Sequence, residues 1–172
     1  MTEVTLRRLV CGEYALLREF TYLAIHVPDG EPVPPMSVVD SEPLLRAYWD
    51  GFGDRSGDLA VAAEADGVVV GIAWSRLIID PRGYGNVDDE TPELAISIQP
   101  EYRGQGLGGS LLSALLSALA SECWPRLSLS VDTHNRAINL YRRAGFHVIA
   151  EQEGDYLMVA ETGCTGTATR SH

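Results

Sequence analysis

The sequence predicts one α/β domain built on a mixed sheet with helices on both faces. Three observations carry that expectation. Apolar residues alternate or run in short blocks at residues 59–64, 68–79, 93–100, 127–132 and 147–161, the pattern of strands. Between several of these blocks lie segments with apolar residues three or four apart, the pattern of helices. The resulting order, β-α-α-β-β-β-α-β-α-β-β, places consecutive strands first and β-α-β crossovers only in the later half. That order favours a mixed sheet over a wholly parallel one.

The elements follow in sequence. Residues 4–10, VTLRRLV, form a first strand. In GEYALLREFTYLAIH, Leu16, Phe20 and Leu23 share a stripe and predict an amphipathic helix. VPDGEPVPPMSVVDSEP, rich in proline and acid, is a connection, and LLRAYWDGF a short second helix. LAVAAE and VVVGIAWSRLII flank Ala65-Asp66-Gly67, a hairpin turn. The acidic loop DPRGYGNVDDETP leads into the strand ELAISIQP, which ends at Pro100. A helix starts near Leu107 with Leu111, Leu115 and Leu119 on one side, and Pro125 closes it. LSLSVD alternates as a one-faced strand. NRAINLYRRAGF is a helix stopped by Gly145, and HVIAEQEGDYLMVAE makes two strands turning near Glu153-Gly154. The 172 residues suit a single domain over residues 1–161. The remainder, 162–172, is poor in apolar residues and is expected to be a flexible tail.

Composition narrows the partners. The formal net charge is −11 and every one of the 13 basic residues is arginine. Such a field repels phosphate backbones, so nucleic acid is not expected, and it attracts amines. No apolar run approaches the ~20 residues of a membrane span. The start of the chain has no apolar signal core, so a cytoplasmic location is expected. Cys11, Cys123 and Cys164 are far apart and form no C-x-x-C or Cys/His pair. No metal site is expected from them.

The most specific stretch is PEYRGQGLGGSLL. Gly104, Gly106 and Gly109 satisfy G-x-G-x-x-G, the dinucleotide-binding pattern. Its context fails, because Pro100 to Arg103 separate the strand from the first glycine and too little chain follows Asp132 to complete a dinucleotide fold. A P-loop is excluded because the chain has no lysine. A merely flexible turn sits badly with Gly108 and Gly109 in the first helical turn, where each costs about 1 kcal/mol relative to alanine. Small residues there let an anion approach the free N–H groups of a helix N-terminus. The turn therefore predicts a phosphate cradle.

ELAISIQPEYRGQGLGGSLL resembles the acetyl-CoA-binding motif of the GCN5-related N-acetyltransferases (GNAT), a strand and a proline followed by [Q/R]-x-x-G-x-[G/A] opening a helix. Arg103, Gly106 and Gly108 occupy its positions. NRAINLYRRAGF is similar to the same family's Asn…Ala…Leu-Tyr…Gly-Phe helix. The likeness spans about residues 3–161. It implies a GNAT-like fold, a mixed and mostly antiparallel sheet whose two central parallel strands splay apart. It implies acetyl-CoA as acyl donor, held by the backbone of Ile96, Ser97 and Ile98 and by the N–H groups of Gly104, Gln105, Gly106, Leu107, Gly108 and Gly109. Arg103 either adds a charge or is simply solvated. Asn135 would contact the pantetheine, although His134, seven residues before Tyr141, holds the offset usual for that asparagine.

The implied chemistry is direct attack of an amine on the thioester. An alkylamine resembles lysine, with a pKa near 10.4, so its neutral form costs about 4.6 kcal/mol at pH 7. A base is useful, and the resemblance offers Glu93, directly or through water. The leaving thiolate resembles cysteine, pKa ~8.5, and gains from an acid, for which Tyr141 is the candidate. Backbone N–H near Ile96 could polarise the carbonyl. The acceptor pocket is expected from residues 22–52 and 80–92, with Trp74 and Arg76 lining it and Asp88, Asp89 and Glu90 forming an acidic rim that selects a small cationic amine. A non-catalytic acyl-CoA-binding module on the same fold is the alternative, and a homodimer is open because the family often forms dimers.

Overall fold

The computed structural model describes residues 3–164. The part of the expected tail from residue 165 onward lies outside the described residues. Seven strands, β1 (Val4–Arg8), β2 (Leu59–Ala65), β3 (Val68–Arg76), β4 (Glu93–Ile98), β5 (Arg126–Asp132), β6 (His147–Gln152) and β7 (Asp155–Glu161), form one sheet in the order β1-β2-β3-β4-β5-β7-β6. All neighbours are antiparallel except β4 and β5, which are parallel. The helices are α1 (Leu16–Ala24), α2 (Val38–Ser41), α3 (Pro43–Ala47), α4 (Leu107–Ser121) and α5 (Ile138–Arg143). The mixed sheet agrees with the expected fold class.

The two hairpins form because their turns carry residues suited to the left-handed region. Asp66 and Gly67, at φ 51° and 79°, close β2–β3, and Glu153 and Gly154, at φ 51° and 90°, close β6–β7. Two consecutive positive φ values are what a two-residue hairpin needs to match the twist of its strands. Strands β2 and β3 are buried on both faces, which is why VVVGIAW reads as an unbroken apolar run. On one face, Leu111, Leu112, Leu115 and Leu119 of α4 pack against Val61, Val70, Leu127 and Met158. On the other, Leu17 and Phe20 of α1 pack against Ala60, Ala62, Ile72 and Trp74.

Several element ends differ from the sequence expectation. The first helix is preceded by a separate 3-10 turn at Cys11–Glu13, fixed where Glu13 reaches back to the Val10 N–H and pairs with Arg7. Strand β3 stops at Arg76 instead of continuing to Ile79. The proline-rich connection contains α2, and α3 then opens on Pro43, whose fixed φ suits a first helical turn. Helix α5 starts at Ile138 because Asn135 Oδ1 accepts the Ala137 N–H at 2.9 Å, an Asx turn that delays the helix.

One irregularity positions everything functional. Between β4 and β5 the ladder consists of a single register pair, Glu93 with Ser128. Beyond it the strands part, leaving the facing edges of β4 and β5 without a partner strand.

Candidate active site

A cavity of about 410 Å³ runs through the gap between the splayed strands. Leu94, Ala95 and Ile96 of β4 face Ser130, Val131 and Asp132 of β5 across it. Asn135 and Tyr141, the end of α1, Tyr48 after α3 and Tyr84 in the loop before β4 complete its lining. Ser97 is not at the cavity. Its hydroxyl donates to Phe20 O at 2.6 Å and ties β4 to α1.

The glycine turn lies at the C-terminal end of β4. Gly104 and Gly106 have φ of 72° and 82°, and a Cβ at either would meet nothing within 4 Å. These two glycines are therefore required by backbone conformation, and the space above them is open. From Gly104 to Gly109 no N–H donates to a main-chain carbonyl among the described residues, and the first helical bond is Ser110 N–H to Gly106 O at 3.3 Å. The result is a run of unsatisfied donors at a helix N-terminus, the chemistry of an anion cradle. Gly108 has a different cause, since a Cβ there would sit 2.9 Å from Leu140 Cδ2 of α5. Its smallness lets two helices approach. A groove of about 540 Å³ runs from Gly106 and Gly109 between α4 and α5, with Leu140, Arg143 and Ala144 along it. The Arg103 Nε is tied to Ile98 O at 2.9 Å, leaving the rest of its guanidinium exposed beside the turn.

Tyr141 is held by α5, its ring edge-on to Phe146 with centroids 5.9 Å apart. Its hydroxyl makes no hydrogen bond among the described residues, and burial pushes its pKa up to about 12. It is therefore fully protonated at neutral pH and faces the cavity as a free donor. Asn135 lines the same cavity with its amide nitrogen unused by the Asx turn. His134, the alternative, projects into solvent with its side chain 92% exposed.

Glu93 is 1% exposed, against the expectation of a carboxylate that could meet substrate directly. Its Oε2 accepts hydrogen bonds from the Tyr48 hydroxyl and the Gly85 N–H, both 2.8 Å, while Oε1 is buried without a partner. Burial lifts its pKa to about 7, outweighing those two hydrogen bonds. The loop packs so closely that a Cβ on Gly83 would lie 2.1 Å from Oε1. Tyr48, not Glu93, reaches the cavity wall.

Two further expectations are corrected. Arg76 does not line the cavity. It is 1% exposed, ion-paired with Asp58 at 3.2 Å, and its guanidinium donates to Ala47 O, Asp50 O and Gly51 O. It thereby pins the chain after α3, and with it Tyr48. Nor do Asp88, Asp89 and Glu90 line the cavity. Asp88 caps the N–H groups of Glu90 and Thr91 and pairs with Arg126, and Asp89 pairs with Arg82. The carboxylates that line the cavity are Asp132 and Asp155, the latter accepting from Ser130 Oγ at 3.0 Å. Tyr48 and Tyr84 lie in the segments 22–52 and 80–92 from which the acceptor pocket is expected, whereas the place of Asp132 and Asp155 at the cavity escaped sequence reasoning. The signal for Tyr84 itself was its bracketing by Gly83 and Gly85, where a Cβ would strike Glu93 and the Leu129 backbone.

A parted pair of central parallel strands, with an anion cradle at one strand's end and a cavity through the gap, defines an acyltransferase-type cleft. A family model described as the acetyltransferase (GNAT) family matches residues 24–146. A mycothiol acetyltransferase of Acidimicrobium ferrooxidans is 38% identical over 110 residues, covering 63% of this chain and 34% of that protein. Mouse thialysine N-epsilon-acetyltransferase is 32% identical over 123 residues, covering 66% of this chain and 69% of that one. Among solved structures, a GNAT acetyltransferase from Streptococcus pneumoniae superposes with a TM-score of 0.65 at 19% identity, covering 94% of this chain and all of that one. The PaiA N-acetyltransferase of Thermoplasma acidophilum, solved with coenzyme A, superposes at 0.65 with 18% identity, covering 92% and 99%. The chain belongs to the GNAT acetyltransferase family. It spans between 25% and 46% of the length of the mycothiol acetyltransferases it matches. Among the described residues no helix is long and apolar enough to cross a membrane, and no group of three or more His, Cys, Asp or Glu could hold a metal ion.

Proposed function

We propose that the chain is an N-acetyltransferase that moves an acetyl group from acetyl-CoA to a small cationic primary amine. The observation that carries the reading is the continuity of the site. An anion cradle at Gly104–Gly109 adjoins the unpaired edge of β4, and that edge opens into a cavity lined by Tyr141. The residues fit the donor, with open space over Gly104 and Gly106 for a pyrophosphate and Arg143 along the groove as a further cation. The main chain of Ile96 and the Ile98 N–H would orient the pantetheine, with Asn135 on the cavity wall, while Ile98 O is held by Arg103 Nε. The donor supplies an activated acyl group on sulfur, a good leaving atom.

Tyr141 has a pKa of about 12 against ~8.5 for a thiol, so complete proton transfer from it is uphill. It acts by donating a hydrogen bond to charge developing on sulfur, and solvent completes the protonation. For the acceptor, no arginine among the described residues lines the cavity, whereas Asp132, Asp155, Tyr48, Trp74 and Tyr84 do. Carboxylates and aromatic faces both favour a cation. The test is release of free coenzyme A on a panel of amines that includes matched acceptors bearing an extra ammonium or a carboxylate. Higher kcat/KM for the ammonium member, falling with salt, is expected. Binding of acetyl-CoA with no release on any amine would leave only a non-catalytic acyl-CoA module.

A further inference from the structure

Glu93 and the cavity are separated by one side chain. The carboxylate is buried under the loop of Gly83 and Gly85, and among the described residues its only side-chain hydrogen bond is from Tyr48. Tyr48 itself lines the cavity. Four contacts hold it there. Trp74 Nε1 donates to Tyr48 O at 2.9 Å, Tyr84 stacks on it with centroids 6.4 Å apart, Glu93 fixes its hydroxyl, and Arg76 anchors the residues on either side through Ala47 O and Asp50 O. A cavity tyrosine so fixed, with a buried carboxylate behind it, has the connectivity of a proton path.

We propose that the Tyr48 hydroxyl relays the proton of the acceptor amine to Glu93. The inference rests on the acetyltransferase reading above. In the step, an ammonium N–H bond breaks and a new O–H bond forms on the Tyr48 oxygen. The proton already on that oxygen passes along the 2.8 Å hydrogen bond to Glu93 Oε2. The nitrogen lone pair is freed, the carboxylate becomes a carboxylic acid, and tyrosine is neutral before and after. Tyr48 therefore never ionises, as suits a phenol whose pKa burial and the Glu93 charge raise well above its ordinary value. Burial sets Glu93 near 7, so about half of it is ionised at neutral pH while its basicity is the highest compatible with that.

The groups facing Glu93 leave this path alone. Tyr48 comes from α3's end, and Tyr84 and the Gly85 N–H from the loop. From β5 comes Ser128, whose hydroxyl is turned to Pro92 O, and from β3 Arg76, engaged by Asp58 and three carbonyls.

The test is the pH profile of kcat/KM for an alkylamine accepted by the wild type, measured for wild type, Tyr48→Phe, Glu93→Gln and the double variant. The wild type should rise with pH and bend near 7. Tyr48→Phe keeps the ring and cavity wall but should lose about 10²-fold at pH 7 and lose the bend, rising steadily toward the amine's own pKa. Its KM for acetyl-CoA should not change, and the double variant should be no slower than either single one. Gly83→Ala, which pushes the carboxylate away while leaving Tyr48 and Glu93 unsubstituted, should lose the bend as well, and it keeps the test open should Tyr48→Phe fold poorly. A Tyr48→Phe enzyme that retains the bend near 7, or losses that multiply in the double variant, would overturn the relay alone. A wild type that acetylates no amine would overturn the acetyltransferase reading and the relay with it.

Discussion

Glu93 should make the folded protein lose stability as pH rises toward neutrality, and Glu93→Gln should remove that loss. The carboxyl is 1% exposed, and burial lifts its pKa from 4.5 to about 7. The fold therefore holds this proton more tightly than the unfolded chain does. The resulting stabilisation is complete below pH 4.5 and is lost as pH passes through 7. A shift of about 2.5 units at ~1.36 kcal/mol per unit gives roughly 3 kcal/mol. Glutamine keeps the shape, still accepts from Tyr48 and Gly85 through its oxygen, and cannot ionise. Urea unfolding of both proteins at intervals from pH 4 to 8.5 gives the difference curve directly. The variant should gain on the wild type by about 3 kcal/mol across that range. Asp58, whose pKa burial also raises, is common to both proteins and cancels. Glu13, held at about 2 by Arg7, is likewise common to both proteins and cancels. Parallel stability curves would refute the reasoning, because they would mean that Glu93 is no harder to ionise in the fold than in the open chain.

Tyr141→Phe should lower kcat about 10²-fold while calorimetry shows acetyl-CoA affinity nearly unchanged, since only the unbonded hydroxyl is removed. Gly106→Val places a β-branched residue at φ 82°, so it should cost about 1–3 kcal/mol of stability in addition to weakening acetyl-CoA binding, measured by denaturant unfolding and calorimetric titration of the folded variant. Arg76→Met leaves Asp58 buried without its cation and frees Ala47 O, Asp50 O and Gly51 O. It should destabilise the protein by about 3–5 kcal/mol at pH 7 by the same unfolding assay.

What the sequence made legible was local chemistry. Asp66-Gly67 and Glu153-Gly154 announce hairpins because the required positive φ values belong to adjacent residues. The glycine turn is legible for the same reason, since strand end, glycines and helix start are contiguous. What escaped depends on contacts between distant segments. Nothing near Tyr48 signals that its hydroxyl meets Glu93, 45 residues away. Asp88 looked like part of a solvated acidic run, but its partner Arg126 is 38 residues on. Arg76 reads from the sequence as a pocket-lining residue, and only the folded chain brings Asp58 and three carbonyls around it. Gly108 fitted the anion motif so well that its packing against Leu140 was invisible.

The single register pair between β4 and β5 has a mechanical meaning. The sheet is two panels, β1 to β4 and β5-β7-β6, joined by almost no ladder hydrogen bonds. What spans the seam is oil rather than thread. Leu111 and Leu115, riding with the first panel, share one apolar cluster with Leu127, Leu129 and Met158 of the second. Hydrogen bonds are directional and resist shear, whereas apolar contact is non-directional and tolerates small sliding. The seam is therefore the compliant line of the molecule, able to open or narrow without breaking a ladder. Any ligand bonded to both strand edges would act as a stitch, stiffening the two panels into one plate.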